Sequence, residues 1–171
     1  MPVGTLYIVG VGPGDPDLVT LKAAKVLAAA PVWLAPYGKQ GGDSTALAIA
    51  AAAVGGEGKT VERLYFPMRK VPRCQQVQAE VAAAWRRAAG AVLAHLDAGR
   101  DVAFPTLGDP ALYSTGFYVC ETVTELRPDA RVRIIPGVSS IGASAAAAGG
   151  PLCLGDDRLV VIPATYENGL L

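Results

Sequence analysis

A chain of 171 residues has the size of about one domain, since single cores usually run ~100–200 residues. Hydrophobic residues make up 51% and charged residues 18%, a balance that excludes intrinsic disorder. Fifteen Lys+Arg offset fifteen Asp+Glu, so bulk charge offers no grip on nucleic acid.

No apolar run reaches the ~20 residues that a membrane helix needs, and the nearest, 141–154, is interrupted by Gly149, Gly150 and Pro151. Val3–Val9 opens the chain as a strand pattern rather than as a targeting segment. Cys74, Cys120 and Cys153 are odd in number, far apart and without CxxC pairing. They read as free, mostly buried thiols of a reducing compartment, hence a cytoplasmic protein. His95, the one histidine, lies beside Leu96 in a helical pattern and points to a surface or packing role. A protein-bound metal is not expected without clustered ligands.

Strand and helix patterns alternate from the start. Leu6–Val9 is a short β-rich run ending in glycines, and Thr20–Ala30 has helical spacing at Leu21, Ala24 and Leu27. Pro31–Ala35 predicts a second strand, Ser44–Val54 an alanine-rich helix capped by Asp43 or Ser44, and Thr60–Phe66 a third strand. Residues 74–98 carry a long helical pattern stopped by Gly99. Asp101–Pro105 is then a strand, Leu112–Leu126 a helix, Arg131–Pro136 a strand and Ser140–Ala148 a helix. Nearly continuous apolar strands between helices predict an α/β fold whose parallel sheet is covered on both faces. Residues 1–150 are read as this N-terminal domain and 151–157 as a linker. Residues 158–171, with a strand at Leu159–Ile162 and a helix from Glu167, begin a second, truncated α/β domain.

Three loops lie where a strand ends and a helix begins, the edge at which open α/β sheets bind ligands. In Gly10–Pro16 the glycines start like a dinucleotide fingerprint, but Pro13 and Asp15 depart from it and no Gly-Lys-Ser/Thr follows. A tight structural turn and a contact loop for a non-phosphate ligand are both open there. In Thr106–Thr115, Asp109 either caps the next helix or sets a carboxylate in a crevice. In Pro136–Ser140, Ser139 or Ser140 either caps the following helix or touches a ligand, and neither sits in a GxSxG elbow. A basic excess of Lys59, Arg63, Arg69, Lys70 and Arg73 against Glu62 is either a solvated strand end or a landing for a polycarboxylate.

Together, GVGPGDPDLVTLKA, LGDPALYST and IPGVSS resemble the tetrapyrrole methylase family, which uses S-adenosylmethionine. GGDSTALAIA at 41–50, YFPM at 65–68 and LVVIPATYE at 159–167 are similar to its branch acting on carbon 20 of precorrin-2, or cobalt-precorrin-2, in cobalamin biosynthesis. The resemblance implies a homodimer with the methyl donor bound in a cleft between two α/β domains. It implies donor contacts from Pro13, Leu107, Gly108, Asp109, Leu112, Ser139 and Ser140. For the small-molecule tetrapyrrole it suggests Arg63, Arg69, Lys70 and Arg73, with Asp15 and Tyr113 as loop candidates, while Asp15, Asp109 and Tyr113 are candidates by loop position for taking the departing proton. Rival readings are methylation at another tetrapyrrole carbon, a truncated non-catalytic module, and a nicotinamide oxidoreductase. Against the last stand Pro13 and the lack of an acid at the end of Pro31–Ala35.

Overall fold

Sheet and helices are described for residues 3–37, 43–65 and 79–162 in a computed structural model. The strands are β1 (Thr5–Gly10), β2 (Val32–Tyr37), β3 (Thr60–Tyr65), β4 (Val102–Thr106) and β5 (Arg131–Ile135). The helices are α1 (Leu21–Ala29), α2 (Thr45–Val54), α3 (Ala79–Asp97), α4 (Gly116–Leu126) and α5 (Ser140–Ala148), with a 3-10 turn at Pro16–Leu18. Local chemistry sets the helix starts: Thr20 Oγ1 accepts from Ala23 N at 3.1 Å and Ser44 Oγ from Leu47 N at 3.3 Å. At the end of α3, Gly99 takes φ +73° and Arg100 N donates back to the His95 carbonyl at 3.0 Å.

Residues 1–140 and 141–171 form two units. In the first, five parallel strands run in the order β3-β2-β4-β1-β5. Side chains alternate across a strand, so consecutive residues of β1 enter different cores. Leu6 and Ile8 pack with Val92, Leu96, Phe104, Val119 and Val123, under α3 and α4. Val9 packs with Leu27, Trp33, Ile49 and Ala103, under α1 and α2. Both faces of the central strands β1 and β4 are therefore covered, as their apolar runs predict, whereas edge strand β3 buries no residue and β5 only Ile135. The order also separates two connections. The chain leaving β1 passes β4 to reach β2, and the chain leaving β4 passes β1 to reach β5. Their loops leave adjacent strand ends in opposite directions at the carboxyl edge, the edge at which open α/β sheets bind ligands.

Three departures from the sequence reading have physical causes. Helix α4 starts at Gly116 rather than Leu112, because Tyr113 adopts φ +55° and breaks the helical path. Leu159–Ile162 forms no strand and is exposed, with no ladder partner among the described residues. Cys153 is exposed rather than buried, whereas Cys120 is half-buried and burial pushes its thiol pKa up. Cys74 and the expected helix from Glu167 lie outside the described residues. Helix α5, mostly alanine with Ser140 and Ser144, buries none of its residues. Among the described residues no helix is long and apolar enough to cross a membrane.

A polar contact that the sequence did not announce ties β3 to α3. Buried His95 meets the Glu62 carboxylate through Nε2 at 2.6 Å, while its Nδ1 has no hydrogen-bond partner. Glu62→Ala would leave a second buried ring nitrogen unsatisfied and should cost about 1–3 kcal/mol in urea unfolding. Asp43→Ala, which removes only the exposed Arg63–Asp43 pair at 3.8 Å, should stay within ~0.5 kcal/mol.

Arg127 clasps both oxygens of Asp97, with Nη2 at 2.8 Å from Oδ2, and joins the ends of α3 and α4. This hydrogen-bonded guanidinium holds the Asp97 carboxyl below the usual carboxylate range. A pKa lowered by folding stabilises the protein above the unfolded value, ~4, and that share is lost as pH falls through the folded value. Acid unfolding curves of Asp97→Asn should therefore be flatter than wild type below pH ~4.

Candidate functional site

The three loops meet through their backbones. Val11 N donates to the Thr106 carbonyl at 3.0 Å, continuing the β1–β4 ladder one step beyond the strands. Gly12 and Gly108 then form an antiparallel bridge, with Gly108 N donating to Gly12 O at 2.7 Å and Gly12 N to Gly108 O at 3.3 Å. Parallel strands thus end in a locked pair of turns, which needs positive φ at Gly12 (+78°) and Gly108 (+70°).

Gly10 and Gly137 let the third loop join them. A Cβ on Gly10 would sit 2.7 Å from both Gly108 O and Gly137 N, and one on Gly137 would collide with the Gly108 carbonyl oxygen. Asp109 completes the junction. Its Oδ1 accepts from Ala111 N at 2.8 Å and its Oδ2 from Gly137 N at 2.9 Å. The helix-cap reading of Asp109 is therefore corrected. α4 begins at Gly116, whose N–H donates to Ser114 Oγ at 3.0 Å, and Ser114 in turn shares a 2.8 Å bond with Thr106. Two backbone N–H bonds fill much of the carboxylate's accepting capacity, which suits a latch better than a free base.

Around this junction the named residues differ in character. Leu107, Leu112 and Tyr113 are exposed, and an added Cβ at Gly14 or Gly108 would meet open space. Pro13, Gly108, Asp109 and Ser139 are partly buried, and Ser140 is exposed at the start of α5. Asp15 opens the 3-10 turn by accepting from Asp17 N at 2.9 Å and remains exposed. These loops present backbone and apolar side chains beside two carboxylates, a surface for a cationic or amphipathic ligand rather than for phosphate.

The basic excess divides. Lys59 binds the end of α1, donating to Ala30 O at 3.0 Å and to Ala28 O, and lies 5.8 Å from the Trp33 ring. It serves as a helix C-terminal cation. Arg63 sits on the edge strand β3 beside Asp43, two strands from β4 and ~10 Å across the sheet from it. Arg69, Lys70 and Arg73 lie outside the described residues. Lys59 as a helix-end anchor, and Asp109 as the latch to Gly137, were not legible because both partners are distant backbone atoms.

An α/β domain with its loop junction at the carboxyl edge of a parallel sheet has the layout in which such folds bind small molecules. Residues 5–171 match Tetrapyrrole (Corrin/Porphyrin) Methylases, and the chain belongs to that family. It is 39% identical over 162 residues to cobalt-precorrin-2 C(20)-methyltransferase of Salmonella typhimurium, covering 95% of this chain and 64% of that protein. It is 35% identical over 172 residues to precorrin-2 C(20)-methyltransferase of a Sinorhizobium species, covering 99% and 68%. Among solved structures it resembles the uroporphyrin-III C-methyl transferase of Thermus thermophilus complexed with S-adenyl homocysteine. That likeness has a TM-score of 0.52 and 29% identity, over 83% of this chain and 48% of the other. The chain thus spans just under two-thirds of the first relative's length.

The junction makes a graded prediction for alanine at its glycines. Gly137→Ala should lose at least about 3 kcal/mol in urea unfolding, because backbone atoms on both sides must move. Gly108→Ala has room and should lose only the ~1–2 kcal/mol of a left-handed alanine.

Proposed function

We propose that this chain carries the donor-binding half of an S-adenosylmethionine-dependent methyltransferase that methylates carbon 20 of precorrin-2 or cobalt-precorrin-2. The single observation that carries the reading is the junction of Gly12, Gly108, Asp109 and Gly137 at the carboxyl edge of β1 and β4. The residues present fit the donor. Gly108 leaves open space on the rim, Leu107 offers an exposed apolar side chain, and Asp109 and Asp15 supply negative charge for a cation.

When bound, S-adenosylmethionine supplies a methyl group already activated by its sulfonium. The chain's own residues have to bind, orient and exclude water, work that is worth ~7–11 kcal/mol where the geometry is good. In this reading Pro13, Leu107, Gly108, Leu112, Ser139 and Ser140 line the donor, and Asp109 holds two of their loops in register. Asp15, exposed and engaged by one N–H, is the better placed of the two loop carboxylates to receive the proton that leaves the methylated carbon. Arg63, Arg69, Lys70 and Arg73 attract the substrate's carboxylates and act mainly on encounter rate and salt dependence. The protein works as a homodimer, a reading carried over from the family resemblance alone, and in the cytoplasm, a reading supported by the unpaired thiols of Cys120 and Cys153.

Titration calorimetry of the full-length protein with S-adenosylhomocysteine tests this. Saturable one-site binding is expected, weakened at least tenfold in Asp109→Ala, with a thermal shift that grows with ligand concentration. Absence of both heat and shift in the wild type would refute it.

A further inference from the structure

Tyr113 is the one residue other than glycine with a positive φ, +55°, among the described residues. Eight glycines take the remaining positive-φ positions, Gly108 in the same loop among them. The loop gives Tyr113 no freedom to relax. On one side Leu112 N donates to Asp109 O at 3.2 Å. On the other, Ser114 Oγ is held by Thr106 Oγ1 at 2.8 Å and by Gly116 N at 3.0 Å. A large side chain in the left-handed region persists only where something compensates for the strain.

Nothing in the fold does so. The tyrosine is 67% exposed, and among the described residues it makes no hydrogen bond and no ring contact. Among the described residues the other exposed tyrosine, Tyr65, by contrast stands 5.8 Å from Tyr37 on the neighbouring strand. Leu107, 50% exposed, and Leu112, 42% exposed, extend the apolar character along the same loop. A glycine would satisfy the backbone there, so the ring is kept for a partner other than the described residues.

We infer that Tyr113 is a specificity-determining residue whose ring stacks on the flat conjugated face of the macrocyclic substrate, outside the donor's share of the pocket. This deepens the methyltransferase reading and rests on it. A ring so exposed suits the larger, outer ligand, and face-to-face or offset stacking needs no hydrogen-bonded tyrosine hydroxyl. The clamps at Leu112 and Ser114 fix where the ring leaves the chain, so that contact would help to choose which carbon meets the methyl group.

Three substitutions in the full-length protein test this, with anaerobic precorrin-2 and S-adenosylhomocysteine as separate probes. Tyr113→Gly and Tyr113→Asn should hold the melting temperature or raise it by about 2–4 °C, since both residues accept the left-handed backbone. They should weaken macrocycle binding about tenfold and leave the S-adenosylhomocysteine dissociation constant within about twofold. Tyr113→Phe should keep macrocycle binding within about twofold of wild type. Unchanged macrocycle affinity in the glycine variant, or a loss in the phenylalanine variant as large as in the glycine one, would overturn the inference alone. Failure of the wild type to bind either probe would remove the methyltransferase reading and this inference with it.

Discussion

Backbone reaches backbone at Gly10, Gly108 and Gly137, and the rest of the site depends on that approach. No side chain fits at Gly10 or Gly137, where an added Cβ would run into the Gly108 carbonyl oxygen, so the turns after β1, β4 and β5 meet through main-chain atoms. The Gly12–Gly108 bridge and the Asp109 bonds to Ala111 and Gly137 then fix the register. Ordering three loops costs conformational entropy, ~1–2 kcal/mol per residue. The junction meets that cost during folding rather than at ligand binding, which is what preorganisation means physically.

The junction lies where it does because of the strand order. β1 and β4 are neighbours, but their connections leave in opposite directions toward β2 and β5. Two cores, one under α3 and α4 and one under α1 and α2, hold these strands from both faces. Stability is thus concentrated in the sheet while the loop junction sits on its rim. Tyr113 shows the same division: a rigid frame keeps one exposed side chain in a conformation it would not choose.

Much of this frame could be read from the chain. The cap at Ser44, the stop at Gly99 and the apolar central strands act locally, so their signals survive in sequence. What could not be read is contact between distant residues. Asp109 precedes a proline as a helix cap does, yet it accepts from Gly137, 28 residues away. Glu62 looked like a lone acid in a basic stretch and is instead the partner of His95. Lys59 counted as positive charge for a ligand and is occupied by carbonyls at the end of α1. The start of α4 was misread for a related reason: Leu112–Thr115 has helical composition, but the clamps on either side of Tyr113 impose a turn.

The central claim is that the loop junction is assembled before any ligand arrives and is where the methyl donor is received. Residue-resolved amide NMR during a titration with S-adenosylhomocysteine addresses it most directly. Slow exchange of the Gly108 and Gly137 amides in the free protein, with ligand-induced shifts centred on residues 107–112 and 137–140, is the predicted result. Rapid exchange of those amides before ligand is added, or shifts centred instead on the Gly4 and Asp101 end of the sheet, would contradict it.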